Sequence, residues 1–199
     1  MRLKRKTAPK VRNGQVIKKN NWALSPSLFH YYQSELIIER YKPSRGYRHL
    51  LRQEDIADFI ELIPRWDELS RGLDGIVLSS DDCCLGWYKD GIIGISAWER
   101  EIQVNESTES FYLEHRETLD ALHVPCFKKK NGDWKLLFTV ETAKAFQLLR
   151  VFLHELGHHH DWMNSKKRRN CAGGEPYACS FEVEKAKEIT EKYIAIKRL

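Results

Sequence analysis

Residues 142 to 161 read TAKAFQLLRVFLHELGHHHD, a helix-forming run that carries the pentad His154-Glu155-Leu156-Gly157-His158. At 3.6 residues per turn, His154 and His158 lie about 40° apart around a helix, so both imidazoles can reach one Zn²⁺. Glu155 points roughly 100° away, toward the side where a metal-activated water would lie, and could act as the general base. The pentad therefore predicts two metal ligands and a base for metal-assisted hydrolysis.

The remainder of this run predicts a helix that is buried between layers. With His154 as the reference direction, Val151 and Gln147 fall on the predicted metal face. Apolar residues cover the opposite side, namely Phe152, Leu149, Ala145 and Leu156. Because a buried helix would not tolerate two histidines and a glutamate without partners, this pattern favours a metal site.

A tetrahedral zinc site that keeps a reactive water needs a third protein ligand. In the metzincin pattern HExxHxxGxxH this ligand is a histidine, but here Asp161 and Asn164 stand at the glycine and last histidine positions. Asp161 returns to the His154 side about 10 Å further along the helix, which is too far for the same ion. It is better placed as a carboxylate that supports a ligand, or as a polar residue at the C-terminal end of the helix.

A glutamate from the last helix is the remaining candidate. Gly173-Gly174-Glu175-Pro176 predicts a helix start, because proline suits the first turn. One stripe of that helix then carries Glu175, Ala178, Glu182, Ala186, Ile189, Tyr193 and Ile196. A glutamate on an apolar stripe requires a buried partner, so Glu175 is the preferred ligand. Glu182, Cys179 and a site without any third protein ligand remain alternatives.

Helical and strand patterns alternate along the rest of the chain. Helices are predicted over residues 25–41, 53–62, 66–70 and 107–122. Strands are predicted over residues 75–78, 85–88 and 92–95, with turns at Lys89-Asp90-Gly91 and a hairpin around Asn131-Gly132. The order of strands, helix, hairpin, long helix and last helix is an α+β pattern.

Charge is unevenly distributed along the 199 residues. Residues 1–21 contain eight Lys or Arg and no acid, and the remaining 25 basic residues face 28 acidic ones. We therefore predict a disordered basic arm over 1–21 and a single domain over 22–199. The arm could instead bind nucleic acid or an acidic partner, or serve as an organelle address. Lys166 to Arg169 is a second basic run, predicted as a solvated loop with the same binding alternatives.

The expected location is cytoplasmic. The arm lacks the apolar core of a secretory signal, and no apolar stretch approaches the roughly 20 residues that cross a bilayer, so no membrane partner is expected. Five cysteines are then expected to be reduced thiols with structural roles.

HELGH followed by Glu175-x-x-Ala178-x-x-Phe181 resembles the gluzincin zinc metallopeptidases, particularly small single-domain minigluzincins such as the ImmA/IrrE-like proteins. The resemblance covers residues 75–98 and 142–190. It implies a zincin-like fold, in which a small mixed or antiparallel sheet packs on a buried active-site helix and a C-terminal helix carries the third ligand. That ligand maps onto Glu175.

The resemblance also implies a function. His154, His158 and Glu175 would hold Zn²⁺, Glu155 would be the general base for peptide-bond hydrolysis, and an edge strand would bind an extended peptide of a protein substrate. Cys179 and Glu182 depart from the family's pattern. The alternative is an inactive zincin-fold protein with a structural zinc, which binds protein or nucleic acid.

The sequence does not assign the residue that would stabilise the oxyanion. An oxyanion forms when a peptide carbonyl is attacked, and a hydrogen-bond donor must stabilise it. Tyr177 and His159 are the candidates.

Overall fold

The computed structural model describes residues 10–12, 15–17, 36–80, 84–102, 105–165 and 173–199. The strands are β1 (Lys10–Arg12), β2 (Gln15–Ile17), β3 (Ile37–Arg40), β4 (Tyr47–Arg48), β5 (Gly75–Ser79), β6 (Gly86–Lys89), β7 (Ile92–Ser96), β8 (Trp98–Glu99), β9 (Asn105–Ser107), β10 (Cys126–Lys128) and β11 (Trp134–Leu136). The helices are α1 (Gln53–Ile60), α2 (Trp66–Leu69), α3 (Glu109–Ala121), α4 (Val140–Phe146), α5 (Leu153–Asn164) and α6 (Gly174–Lys197), and a π-helical segment, Gln147–Phe152, joins α4 to α5.

The largest sheet in the described chain is mixed and has the strand order β3-β5-β7-β6. β3, β5 and β7 run parallel, and β6 pairs antiparallel with β7. Every residue of β5 and β7 is buried, which explains their continuous apolar sequences, because a sheet covered on both faces has no polar side. The α+β class predicted from the sequence is confirmed.

The turn between β6 and β7 forms as predicted. Asp90 and Gly91 have φ values of 47° and 82°, and Lys89 pairs with Ile92 across the turn. Two consecutive residues with positive φ make the tight connection that suits the twist of a hairpin.

The predicted helix over residues 25–41 is wrong at its C-terminal end. Ile37–Arg40 is β3 and pairs in parallel with β5, with Ile37 opposite Gly75. Tertiary pairing overrides the helical periodicity here, since Ile37 and Ile38 are β-branched and fit a pleated sheet surface. Residues 25–35 lie outside the described part of the chain.

Within the segment predicted as a disordered arm, β1 and β2 form an antiparallel pair. These six residues are therefore not without structure. The other residues of 1–21 lie outside the described chain, so the arm and the single domain over 22–199 stay predictions.

The remaining local predictions hold. α1 and α2 occupy the predicted ranges, and α3 starts after Thr108, whose Oγ1 accepts a hydrogen bond from the Phe111 N–H. β10 and β11 form the predicted hairpin, with Gly132 at φ 93°, and β9 joins the other edge of β11.

The predicted long helix runs from Val140 to Asn164, but it is not uniformly α-helical. Its central six residues, Gln147–Phe152, have the wider π-helical turn. Angles counted at 100° per residue are therefore wrong across this segment. Gln147 accordingly leaves the predicted metal face, and its Nε2 donates a hydrogen bond to the Ser96 carbonyl oxygen at 2.8 Å.

α5 lies between the sheet and α6. It contacts β6 and β7 on one side and packs along α6 on the other. Gly157 permits this close packing, because a Cβ there would lie 2.9 Å from the Ala178 Cα and 3.1 Å from its carbonyl oxygen. The glycine of the pentad thus brings α6, and the residues on it, close to the two histidines.

α6 confirms only the middle of the predicted inward stripe. Its buried members are Ala178, Glu182, Ala186, Ile189 and Tyr193. The two ends of the stripe, Glu175 and Ile196, are exposed. No helix in the described ranges is both long enough and apolar enough to span a bilayer.

Candidate metal centre

The three predicted ligands come together at one point on α5 and α6. The Nε2 atom of His154 lies 3.1 Å from Glu175 Oε2, and the Nε2 atom of His158 lies 3.3 Å from Glu175 Oε1. The ligand atoms of all three residues lie within 4.8 Å of one another. In the described residues this is the group of His, Cys, Asp and Glu side chains that could hold a metal ion.

The donor set and its spacing fit Zn²⁺. Atoms bound 2.0–2.2 Å from a tetrahedral ion lie about 3.3–3.6 Å apart. The two histidine–glutamate distances, which go to different oxygens of Glu175, are close to this spacing, and the whole group lies within 4.8 Å. Two imidazole nitrogens and one carboxylate are also the donors found in catalytic zinc sites. The side chains therefore fit the metal that the sequence predicted.

Glu182 holds the other side of His154. Its Oε2 lies 3.4 Å from His154 Nδ1, whereas the nitrogen that faces Glu175 is Nε2. Glu182 itself forms an ion pair with Arg150, and both side chains are buried. Glu182 is thus placed to orient the imidazole rather than to bind the metal, as carboxylates behind ligating histidines do. Cys179 also lies on the Nδ1 side, with its Sγ 4.0 Å from that atom.

These carboxylates act on the charge of His154. Burial opposes its protonation, but the hydrogen bond with Glu182 and the charges of Glu155, Glu182 and Glu175 outweigh burial and raise the pKa of His154. For His158, burial and the nearby His154 lower the pKa. A neutral imidazole is the form that binds metal, and a nearby carboxylate increases its basicity as a ligand.

Glu155 is a buried carboxyl group in the cleft beside the candidate ligands. The residue is only 6% exposed. Burial raises the pKa of its carboxyl group to about 7; the charge of His154 opposes this shift, and the charges of Glu175 and Glu182 add to it. A cation held by the histidines would lower this pKa, because a nearby positive charge favours the carboxylate. With a cation bound, Glu155 is thus expected to be ionised and able to accept a proton.

Asp161 fixes the start of α6. Its Oδ2 accepts hydrogen bonds from the backbone N–H groups of Gly173 and Gly174, each at 3.0 Å. A carboxylate at this position satisfies helix N-terminal donors and interacts favourably with the helix dipole. Asp161 therefore acts on the backbone next to the candidate ligand Glu175.

The ligands and Glu155 line a cleft of about 590 Å³. β6 forms one wall through Gly86, Trp87 and Tyr88, and α3 contributes Glu114 and His115. His115 packs between Phe111 and Phe146, and burial lowers its pKa to about 3. The sequence did not predict that α3 forms a wall of this cleft. The α3 segment contains no recognisable motif, and the position of the helix depends on tertiary packing.

Neither predicted oxyanion candidate lines this cleft. The Tyr177 hydroxyl is hydrogen-bonded to His160 Nδ1 at 2.7 Å. His159 is fully buried, with Nδ1 3.1 Å from the Tyr88 hydroxyl and Nε2 3.0 Å from the Arg71 carbonyl oxygen. Both side chains therefore serve packing and hydrogen bonding around the site.

The predictions for the second basic run and for the cysteines concern residues that the structure describes only in part or not at all. Residues 166–169, the second basic run, lie outside the described chain. Of the five cysteines, Cys84, Cys126 and Cys179 are free thiols.

Comparisons with models of protein families, with curated proteins and with solved structures give no match to this chain.

Proposed function

We propose that this protein is a zinc-dependent metallopeptidase of the gluzincin type, with a zincin-like fold. The observation that carries the proposal is the approach of His154 Nε2 and His158 Nε2 to the two oxygens of Glu175, beside a buried Glu155 in the same cleft. Metal-assisted hydrolysis requires metal ligands and a separate carboxyl group that acts as the base. Here α5 supplies two candidate ligands and Glu155, and α6 supplies the third ligand.

Each protein group has a definite part in the proposed reaction. When bound, Zn²⁺ polarises the peptide carbonyl and lowers the pKa of a water molecule. Glu155 removes a proton from the attacking water and later delivers it to the leaving nitrogen. Glu182 and Arg150 keep the His154 ring in its orientation, and Asp161 holds the backbone that carries Glu175.

The edge of the sheet supports an extended peptide as the substrate. β6 is the last strand in the order β3-β5-β7-β6, and three of its residues line the cleft. It also lies directly on the pentad helix, since a Cβ on Gly86 would be 2.5 Å from Val151 Cγ1 and 2.9 Å from Glu155 Oε1. A peptide that adds to this edge would pass its backbone alongside Glu155.

The geometry favours a catalytic zinc over a structural one. Structural zinc sites are closed by four protein ligands, whereas three donors converge in the described chain. The Glu175 side chain is 75% exposed, so the ligands can be reached from solvent. The alternative is a regulatory protein with a structural zinc, whose function does not need Glu155.

Removal and return of the metal tests the proposal. The zinc-loaded chain is incubated with a mixed peptide library, and fragments are detected by mass spectrometry. We expect cleavage to stop with 1,10-phenanthroline and to resume when Zn²⁺, but not Mg²⁺, is restored, because imidazole suits zinc better than magnesium. Cleavage that persists in the chelator, or no cleavage by the zinc-loaded chain, would contradict the proposed activity.

A further inference from the structure

We propose that Glu114, on the α3 wall of the metal cleft, selects a lysine or arginine side chain of the substrate. The inference rests on the proposed peptidase function, because it names the chemistry of one substrate residue. It uses a carboxylate that has no part in the proposed hydrolysis.

Glu114 is an exposed residue that lines the same cleft as the candidate ligands. It lies on α3, whereas the ligands and Glu155 lie on α5 and α6. Its carboxylate is therefore accessible from the space in which a peptide bound at the metal would lie. Because α3 belongs to the segment without a recognisable motif, Glu114 is a feature of this chain's own cleft wall.

The charges of the cleft balance when a divalent cation is bound, except for that of Glu114. Glu182 forms an ion pair with Arg150. Glu155 and Glu175 supply two negative charges beside the candidate ligands, and Zn²⁺ supplies two positive charges. Within the described chain, Glu114 has neither a hydrogen bond nor an ion pair. The loaded cleft therefore keeps one negative charge that a cationic side chain of the substrate can neutralise.

The charge of Glu114 acts on the residues of α6 that surround His154. Burial is the main cause that raises the pKa of Cys179, and the charges of Glu182 and Glu114 add to it. Burial also raises the pKa of Glu182, and the charge of Glu114 acts in the same direction. Glu114 thus lies close enough to the ligand-bearing helices for its charge to be felt there. A substrate cation bound near these helices would be attracted to it.

The shape of the cleft suits a long cationic side chain. Its volume is about 590 Å³, and its lining includes the apolar side chains of Leu85 and Val151. Lysine and arginine can lay their aliphatic stems along such a surface while the charged head reaches a carboxylate. An aspartate or glutamate of the substrate would instead be repelled by Glu114. The cleft should therefore favour basic over acidic residues at one position of the substrate.

Cleavage of the mixed peptide library by the zinc-loaded chain measures this preference, with the residues around each cleaved bond identified by mass spectrometry. We expect lysine and arginine to be enriched over glutamate by about 4- to 25-fold at one fixed position. An exposed charge pair typically contributes about 2- to 5-fold, and repulsion of glutamate contributes a similar factor. The absence of such enrichment at every position would overturn the proposal.

Two variants assign the preference to Glu114. Glu114→Lys should invert it, so that aspartate and glutamate are enriched at the same position and lysine and arginine are depleted. Glu114→Gln keeps the size of the side chain and removes only its charge, so both preferences should disappear. A preference for lysine and arginine that survives in both variants would contradict the assignment.

Glu117→Lys is the matched control, because Glu117 is also exposed on α3 but does not line the cleft. The substitution changes the net charge as much as Glu114→Lys does, and it should leave the preference unchanged. An equal inversion in Glu117→Lys would show that overall charge selects the substrate, which overturns the proposal. Added NaCl should reduce the preference of the unmodified chain, because salt screens exposed charges.

The same experiment separates this inference from the proposed function. Cleavage with the expected enrichment and its inversion supports both. Cleavage without any preference for basic residues keeps the peptidase and refutes the role of Glu114. No cleavage by the unmodified, zinc-loaded chain refutes the peptidase, and the substrate preference falls with it.

Discussion

Glu155→Gln is expected to abolish peptide cleavage while zinc stays bound. The residue is a proposed proton carrier and not a ligand, so the amide keeps the shape of the side chain but cannot accept the proton. General acid–base catalysis typically contributes about 10²- to 10⁴-fold, and the rate should fall by at least this factor. The measurements are initial cleavage rates and zinc content by atomic absorption, on the same preparation.

Glu184→Gln is the matched control, because Glu184 lies exposed on α6, away from the cleft. It should keep both its zinc and its cleavage rate. If Glu155→Gln cleaves as fast as the unmodified chain, Glu155 is not the base. Such a result would favour a zinc site that only stabilises the fold.

Glu175→Ala is expected to weaken zinc binding by more than about 100-fold. Removal of a ligand leaves two imidazoles, whereas loss of a group that only orients a ligand typically costs about 10- to 100-fold. Glu182→Gln should therefore have the smaller effect, since Glu182 faces His154 Nδ1. Both affinities are measured by competition with a zinc-binding dye.

Circular dichroism must accompany these titrations. Glu182 pairs with the buried Arg150, and breaking a buried ion pair can destabilise a fold by about 3–5 kcal/mol. The comparison therefore uses temperatures at which both variants are folded. If Glu175→Ala retained full zinc affinity, or if Glu182→Gln lost more, the roles of the two glutamates would be reversed.

Short-range spacing explains why the centre of the site could be predicted from the sequence. The four-residue separation of His154 and His158 and the Gly-Gly-Glu-Pro start of α6 are local features that a helix converts directly into positions. The buried stripe was a weaker guide. Its prediction that Glu175 is a buried glutamate is wrong, because Glu175 is exposed. The buried glutamate of the stripe is Glu182, which pairs with Arg150 and His154.

Features that depend on tertiary contacts were not predictable. Ile37–Arg40 became a strand because β5 offered a partner, and Gln147 left the metal face because the helix widens into a π-helical turn. The α3 wall of the cleft, with His115, is set by packing between elements distant in sequence. Such contacts leave no periodic pattern in the chain.

The central claim is that His154, His158 and Glu175 hold one zinc ion. Zinc K-edge X-ray absorption on the zinc-loaded chain tests it most directly, because nitrogen and oxygen ligands lie at about 2.0–2.2 Å and sulfur ligands at about 2.3 Å. We predict a four-coordinate shell of nitrogen and oxygen, with the multiple-scattering pattern of two imidazoles. A sulfur contribution, as Cys179 would give, or the pattern of a single imidazole would contradict the assignment.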